Sequence, residues 1–356
     1  MSSWRRAAIA VATLVGLLAP AGTATAGQGG TDGPGRARLD ARVIGTLEDG
    51  YGAHAVNRNG EIVFRNPQGE SMVWNLRTGE HRTLQGGSNI LPSDITDDGR
   101  VVGIHGTDGL LIWDADGTPT RIGVPAGQQG VLGSSPRISD DGTVLLAAYH
   151  YVQAGPRPRT VGSYYRWRPE TGFRELAPMV PGASAAAIDD EGLIVGSTPA
   201  VAPPLAAAWR PDGTTETYAA SPGHTSWTWA KGVNNREVLV GGQRRADGVT
   251  VTPTRWDDPA NPEELTDLGF GGEATGINDR GWITGSVRTD ATGGGGDVPV
   301  VWDPRGGLHR LDESPVLGTG STPVAIEAIN DRDQLLVRAR KGDERGTPFL
   351  ALVQLH

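Results

Sequence analysis

One short pattern recurs seven times along this chain of 356 residues and constrains its fold more than any other feature. In each copy an apolar residue leads into a polar turn rich in Asn and Asp, and an apolar run follows. The apolar residues before the turns lie 39 to 52 residues apart and are Val56, Ile95, Ile138, Ile188, Val233, Ile277 and Ile329. A repeat of this length indicates one supersecondary unit that buries its surface against its neighbours.

The composition of each unit favours short strands over helices. The segments are rich in Val, Ile, Thr and Trp, and the chain holds 53 Gly and 25 Pro, which interrupt any long helix. Four strands can be traced per unit, and the third ends in Trp74, Trp113, Trp167, Trp209, Trp256 or Trp302. A Trp at one register in six units is typical of a packing layer between sheets. The sequence therefore predicts an all-β fold, a seven-bladed β-propeller of four-stranded antiparallel blades.

The two ends of the chain complete one blade. The last unit ends at His356 after three strands, whereas residues 42–47 read as a fourth strand without a unit of its own. Pairing the two removes an exposed sheet edge, so the N-terminal strand is expected to close the last blade. We predict a propeller domain over residues 40–356, preceded by a flexible, Gly-rich lead-in over residues 27–39.

The first 26 residues have the pattern of a signal peptide. Arg5 and Arg6 precede an apolar stretch over residues 7–19, and Ala24-Thr25-Ala26 forms a small-residue cleavage site. The paired arginines leave general secretion and twin-arginine export both open. We expect a secreted protein without membrane insertion.

Charge and cysteine content narrow the partners and cofactors. The formal charge of −9 disfavours nucleic acid and anionic lipid. The chain has no Cys, which excludes disulfides and thiolate metal sites. The Asx-rich turns do not have the alternating acidic ligands of an EF-hand, so no metal and no cofactor is predicted.

The repeat also resembles a known family. Residues 276–285, Gly-Ile-Asn-Asp-Arg-Gly-Trp-Ile-Thr-Gly, continue through a variable loop to Trp302 and resemble the HAF-type extracellular repeat proteins. The resemblance covers residues 42–356; Glu237 and Asp333 depart from it where other copies have the turn glycine. The resemblance implies a secreted protein with a propeller-like fold. The family has no shared catalytic motif that could be transferred to this chain.

Loop lengths indicate which face carries function. The connections between second and third strands, and those between blades, vary in length and emerge on one side of the ring, here called the variable face. The longest second-to-third connection, residues 149–163, and a blade connection at residues 221–229 supply the candidate binding residues. These are Tyr149, His150, Tyr151, Arg157, Arg159, His224 and Trp227. Aromatic and arginine side chains often dominate interface energetics.

Three functions remain open from the sequence. The first is non-catalytic binding of a secreted or cell-surface protein, or of an extracellular glycan, by a monomeric scaffold. The second is an extracellular lyase or hydrolase with a site at the central channel mouth, where acidic or His side chains from different blades would converge. The third is a subunit of a larger secreted assembly. No catalytic residue is assigned, because no nucleophile or metalloprotease motif is present.

Overall fold

The computed structural model describes residues 39–356, apart from 49–52, 54, 67, 87–88, 107–108, 133–135, 154–156, 179–182, 199–202, 292–295 and 343–345. The predicted signal peptide and residues 27–38 of the lead-in lie outside this part. The described residues form strands and one short 3₁₀ turn, Pro315–Leu317. Among them, no helix has the length and apolar character needed to cross a membrane.

The strands form seven antiparallel sheets, which are the predicted blades. Blade 1 contains β2 (Glu61–Arg65), β3 (Ser71–Asn75) and β4 (His81–Thr83); blade 2 contains β5 (Ile90–Ile95), β6 (Val101–His105), β7 (Leu110–Trp113) and β8 (Pro119–Gly123). Blade 3 contains β9 (Gly130–Val131), β10 (Arg137–Ile138), β11 (Val144–Gln153), β12 (Pro158–Arg168) and β13 (Gly172–Pro178). Blade 1 departs from four strands, since its innermost strand is reduced to a bridge between Val56 and Ile62.

Blades 4 to 6 repeat the four-stranded meander. Blade 4 contains β14 (Ser184–Ile188), β15 (Ile194–Ser197), β16 (Ala206–Trp209) and β17 (Thr215–Tyr218). Blade 5 contains β18 (His224–Val233), β19 (Leu239–Arg245), β20 (Val251–Trp256) and β21 (Pro262–Glu264). Blade 6 contains β22 (Gly272–Ile277), β23 (Ile283–Arg288), β24 (Asp297–Trp302) and β25 (Leu308–Arg310).

Blade 7 joins the two ends of the chain, as predicted. Its order is β1 (Ala41–Glu48), β28 (Pro348–Leu355), β27 (Gln334–Lys341) and β26 (Ser321–Ile329). β1 pairs antiparallel with β28 from Ala41 opposite Leu355 to Glu48 opposite Phe349. The outermost strand of the last blade is therefore the first strand of the chain, which closes the ring.

Apolar side chains from neighbouring blades form the core between sheets. The second strands are buried on both faces: Val101, Val144, Ile194, Leu239 and Leu335 are each 0% exposed. Trp113, Trp256 and Trp302 are also fully buried, and their indole Nε1 atoms donate to backbone carbonyls of the preceding blade at 2.7 to 2.8 Å. The predicted packing role is confirmed for these three. Trp74 and Trp167 are only half-buried.

The Asx turns hold their own hairpins. In blade 6 the Asn278 side-chain Oδ1 accepts the backbone N–H groups of Arg280 and Trp282 at 3.1 and 3.0 Å. Asn57, Asn234 and Asn330 accept in the same way in blades 1, 5 and 7. An Asx side chain at this place satisfies backbone donors that a tight turn would otherwise leave free.

The same four asparagines also tie their own blades, 5, 6, 7 and 1, to the next blade of the ring. Asn234 Nδ2 donates to Asn278 O at 3.0 Å, and Asn278 Nδ2 donates to Asn330 O at 3.0 Å. Asn330 Nδ2 donates to Asn57 O at 2.7 Å, which joins the last blade to the first. Asn57 Nδ2 continues to Thr96 O at 3.0 Å. We call this set of buried bonds the asparagine clasp.

We predict that Asn278→Asp destabilises the protein although the hairpin acceptor is kept. The carboxylate still accepts the two turn N–H groups, but it cannot donate to Asn330 O or to Asp333 Oδ1, now 2.8 Å away. Loss of buried donors beside a second carboxylate should lower the free energy of unfolding by about 2–3 kcal/mol. Urea denaturation at neutral pH measures this.

The matched control is Asn75→Asp. Asn75 also accepts two backbone N–H groups in a turn, but its bonds are exposed to solvent. That change should alter the free energy of unfolding by less than about 0.5 kcal/mol. Equal effects of the two substitutions would contradict the role given to the clasp.

Candidate functional site

A β-bulge recurs in the innermost strand of five blades. In blades 2, 4, 5, 6 and 7 the pairing of first and second strands skips one residue close to the end of the first strand. These residues are Ser93, Ala186, Lys231, Thr275 and Glu327. A bulge re-aims the side chain of the extra residue. Four of these residues, all but Ser93, line a cavity in the central channel.

Glycines of the second strands make room for the bulges. A Cβ at Gly196, Gly241 or Gly285 would lie 1.9, 2.0 or 2.1 Å from a carbonyl oxygen of the first strand. No side chain fits at such a distance, so the close approach requires glycine. This explains the glycine that follows the apolar run in the sequence pattern.

The channel holds two cavities separated by a ring of aliphatic side chains. The seven residues that define the sequence period, Val56, Ile95, Ile138, Ile188, Val233, Ile277 and Ile329, all border the narrower cavity of about 190 Å³. Five of them also border the wider one of about 510 Å³, on the side towards the starts of the inner strands. We call this ring the aliphatic collar. The wide cavity thus faces the variable loops, and the narrow cavity faces the tight turns.

Charged groups of opposite sign surround the wide cavity. Lys231 Nζ lies 4.0 Å from Glu273 Oε1, which also accepts the indole N–H of Trp229. Glu327 Oε1 accepts from Arg338 Nε at 2.5 Å. With Thr275 among them, these groups offer both donors and acceptors to a ligand.

Asp94 and Arg137 also line the wide cavity. Burial raises the pKa of the Asp94 carboxyl above its ordinary value, although the charge of Arg137 and the N–H groups of Ile138 and Ile95 oppose the shift. Its two oxygens accept from Ile95 N and Ile138 N at 3.0 Å each. Asp94 therefore fixes the edge of blade 3 against blade 2.

Beyond the collar, one residue of each turn forms a polar ring around the narrow cavity. The ring comprises Arg58, Asp97, Asp140, Asp190, Asn235, Asp279 and Asp331. Backbone N–H groups donate to the side chain of the next blade, for example Asp97 N to Asp140 Oδ1 at 2.9 Å and Asp279 N to Asp331 Oδ1 at 2.8 Å. Arg58 forms ion pairs on both sides: its Nε lies 3.0 Å from Asp97 Oδ2, and its Nη2 lies 3.6 Å from Asp331 Oδ2. Acidic groups from different blades do converge in the channel, but on the turn face.

Burial raises the pKa of three carboxyl groups in this ring. It raises the pKa of Asp190 to about 6, with the charges of Asp140 and Asp331 adding to the shift and a hydrogen bond from Asn235 opposing it. Burial likewise raises the pKa of Asp140 and of Asp331. In the described residues no group of three His, Asp or Glu side chains is arranged to hold a metal ion.

The predicted insert at residues 149–163 is not a loop. β11 and β12 continue past the blade as a hairpin, paired from Tyr149 opposite Gly162 to Gln153 opposite Pro158. The prediction of a connecting loop from residue 149 was wrong, because the two strands stay paired as far as Gln153 and Pro158. Arg159 is exposed on this hairpin, and Arg157 is exposed just before β12.

The aromatic residues of the hairpin differ in exposure. Tyr151 is 54% exposed and meets Tyr149 edge-to-face at 5.5 Å between ring centroids. His150 Nδ1 lies 3.2 Å from Gln128 Oε1, and Gln128 in turn donates to Tyr165 OH at 2.8 Å. His150 is thus held within blade 3, whereas Tyr151 is available at the surface.

His224 and Trp227 lie in β18, two blades away. The inner strand begins at His224, so Trp227 belongs to the strand and not to the blade connection. His224 Nε2 lies 3.1 Å from Thr252 Oγ1, and its Nδ1 lies 3.5 Å from Glu264. Arg244 covers the Trp227 ring at 4.0 Å from the centroid. The structure therefore gives the seven predicted residues two separate places on the variable face.

The channel residues Lys231, Thr275 and Glu327 were missed by the sequence prediction. Each lies three residues before the turn asparagine. The residue before it is small or apolar, and a Gly or Ala and then an apolar residue separate it from the asparagine. A varying residue between nearly constant neighbours is the signal that could have identified them.

Comparison with known proteins shows the fold. No protein-family model matches the chain, and no curated protein matches its sequence significantly. The acylaminoacyl peptidase of Pyrococcus horikoshii aligns with a TM-score of 0.58 at 13% identity over 88% of this chain. This chain spans about half of that peptidase, 52% of its length.

Two further solved structures align over most of both chains. Virginiamycin B lyase from Staphylococcus aureus has a TM-score of 0.51 at 10% identity, over 90% of this chain and 99% of the lyase. The β-propeller domain of the trilobed protease of Pyrococcus furiosus has a TM-score of 0.53 at 12% identity, over 88% and 95%. That domain has an open velcro topology, whereas β1 closes the ring here. At these identities the likeness is one of fold alone.

We predict that Asp190→Asn stabilises the protein in a pH-dependent way. With a folded pKa of about 6 against an ordinary value of 3.8, the native state binds more protons than the unfolded chain between these values. The stability of the natural protein therefore falls as pH rises through this window, and Asn removes that loss. The gain should grow from pH 4 to pH 6 and reach about 1 kcal/mol at pH 7.5, after discounting for solvent screening.

Urea denaturation at several pH values between 4 and 7.5 measures the effect. Asp116 serves as control, because the N–H and hydroxyl groups of Thr118 hold its pKa below the ordinary value. Asp116→Asn should give no gain at any of these pH values. A pH-independent effect of Asp190→Asn would show that Asp190 is not the titrating group.

Proposed function

We propose that the chain is a secreted, non-catalytic binding protein that takes the end of an extracellular glycan into the wide cavity. The bulge residues carry the proposal: Lys231, Thr275 and Glu327 reach the cavity from three consecutive blades. Its volume of about 510 Å³ lies within the range of small-ligand sites, roughly 300–1,000 Å³. The cavity has hydrogen-bond donors and acceptors on its sides and the aliphatic collar at its inner end. This combination suits a sugar, which has hydroxyls at its edge and C–H groups on its faces.

The engagement of the charged groups favours binding over catalysis. Glu327 is paired with Arg338, Lys231 lies near Glu273, and Asp94 accepts two backbone N–H groups. A general acid or base must be free to exchange a proton with the substrate. These groups are held in position by hydrogen bonds and ion pairs within the protein.

An extracellular lyase or hydrolase is the second candidate, and the raised pKa of Asp190 favours it. A carboxyl with a pKa near 6 suits acid–base work at neutral pH. Against this, Asp190 borders the cavity of about 190 Å³, below the usual size of a substrate pocket. The aliphatic collar also separates it from the wide cavity.

A protein partner would use a different part of the variable face. Tyr151 and Arg159 are exposed on the β11–β12 hairpin, where an aromatic anchor with a cationic neighbour suits a docking contact. Tyr151→Ala therefore distinguishes the two binding modes. It should leave binding of a short glycan unchanged and weaken binding of a protein.

Glycan-array screening followed by calorimetry tests the proposal. Ala186→Phe should fill the wide cavity and abolish binding with the thermal midpoint retained, because the added ring enters existing space. Lys231→Met should weaken binding about tenfold through loss of a charged hydrogen bond. Ala115→Phe, on an exposed turn of the opposite face, is the size-matched control and should bind normally.

Three outcomes would contradict the proposal. Binding that survives Ala186→Phe would place the glycan elsewhere. Release of shorter or unsaturated sugars, detected by mass spectrometry after incubation, would indicate an enzyme. If the folded protein binds none of the arrayed extracellular glycans, a glycan is not its ligand.

A further inference from the structure

A third cavity, of about 370 Å³, lies on the turn face between blades 3 and 4, outside the channel. Residues of the β12–β13 and β16–β17 turns line it, with four arginines among them: Arg166, Arg168, Arg174 and Arg210. Trp209 and Leu176 add apolar surface. Two of the arginines have compensating partners, and two do not.

Arg168 and Arg210 are neutralised. Arg168 Nη2 lies 2.9 Å from Asp141 Oδ2, and Arg210 lies 2.8 Å from Glu237 and 3.1 Å from Glu216. These ion pairs tie the turns of neighbouring blades together. Neither guanidinium needs a ligand.

Arg166 is a buried cation without a carboxylate partner among the described residues. It is 6% exposed and donates only to backbone carbonyls, to Arg210 O and Trp209 O at 2.7 Å and to Gly192 O at 3.1 Å. Its Nε is buried without a hydrogen-bond partner. Burial and the neighbouring Arg168 lower the pKa of Arg166. A buried, unpaired charge is costly.

Arg174 increases this excess of positive charge. It stands directly opposite Arg166 in the β12–β13 pairing, so the two side chains share one face of the sheet. Like charges at opposed positions destabilise an antiparallel pair. Arg174 is exposed, and within the described part of the chain it has no ion-pair partner, so its side chain can rotate away from Arg166 and admit a ligand between them.

We propose that this cavity binds a small organic oxyanion, a carboxylate or a phosphate ester, between Arg166 and Arg174. Two guanidiniums form strong, directional hydrogen bonds with such groups. The cavity is larger than a bare ion, and Trp209 and Leu176 would contact the organic part. The acidic Glu175 and Asp212 also border the cavity, but both are held by hydrogen bonds: Glu175 accepts from Ser163 Oγ at 2.6 Å, and Asp212 accepts from Thr214 N at 2.8 Å.

The test uses benzoate, its neutral analogue benzamide, and inorganic phosphate as probes. Calorimetry at constant ionic strength should show binding of benzoate and no binding of benzamide. Arg174→Gln should weaken benzoate binding about tenfold or more. Without any anion, the same substitution should raise the thermal midpoint, because it removes the like-charge pair. Arg305→Gln, an exposed turn arginine, should change neither quantity.

NMR of arginine-labelled protein gives a readout independent of stability. The Arg166 Nε–H signal should shift on adding benzoate and stay unchanged with benzamide. Binding of phosphate alone would support an oxyanion site that takes phosphate esters and not carboxylates. If neither anion binds the natural protein, or if Arg174→Gln binds both equally well, the proposal is overturned.

Discussion

The structure depends on one repeated side chain, the asparagine that starts the turn between first and second strands. Its Oδ1 satisfies two N–H groups of its own hairpin, and its Nδ2 donates to the next blade. Where blades 2, 3 and 4 have Thr96, Ser139 or Asp189 instead, no amide is available to donate, and other contacts replace the clasp. Arg100 reaches Asp140 O at 2.8 Å, and Arg166 bonds three carbonyls of blade 4.

This arrangement places the groups that stabilise the ring at one end of the channel and the proposed ligand site at the other. The turn face is tied by the clasp, by the polar ring and by ion pairs between blades. The opposite end of the channel is shaped by bulges that turn Lys231, Thr275 and Glu327 inwards. Because glycines opposite the bulges keep the backbone fixed, the side chains at these positions can vary without changing the blade. Substitutions at the bulge positions can therefore alter which ligand fits the wide cavity while the packing between blades stays the same.

Much of the fold could be predicted from the sequence, and little of the site. The seven apolar residues before the turns showed the period because each contributes to the collar, and residues 42–47, a strand without a unit of its own, indicated closure by β1. The bulge residues were missed because a bulge is visible only in strand pairing. The opposition of Arg166 and Arg174 depends on the register of the β12–β13 hairpin, in which Arg168 pairs with Gly172, and no residue pattern revealed that register. The hairpin at residues 149–163 was predicted as a loop because its Gly, Pro and Arg residues interrupt the apolar pattern that is typical of strands.

The turn face is the rigid part of the ring, and the variable face is the adaptable part. Hydrogen–deuterium exchange of the free protein, followed by mass spectrometry, tests this difference directly. Turn amides that donate to a buried asparagine side chain should open only with the whole domain. Amides of the turn that starts at Asn278, and those around Asn234 and Asn330, should exchange as slowly as the second strands, while residues 149–153 exchange faster. Rapid exchange in these turns, with protection retained in the hairpin, would contradict the account.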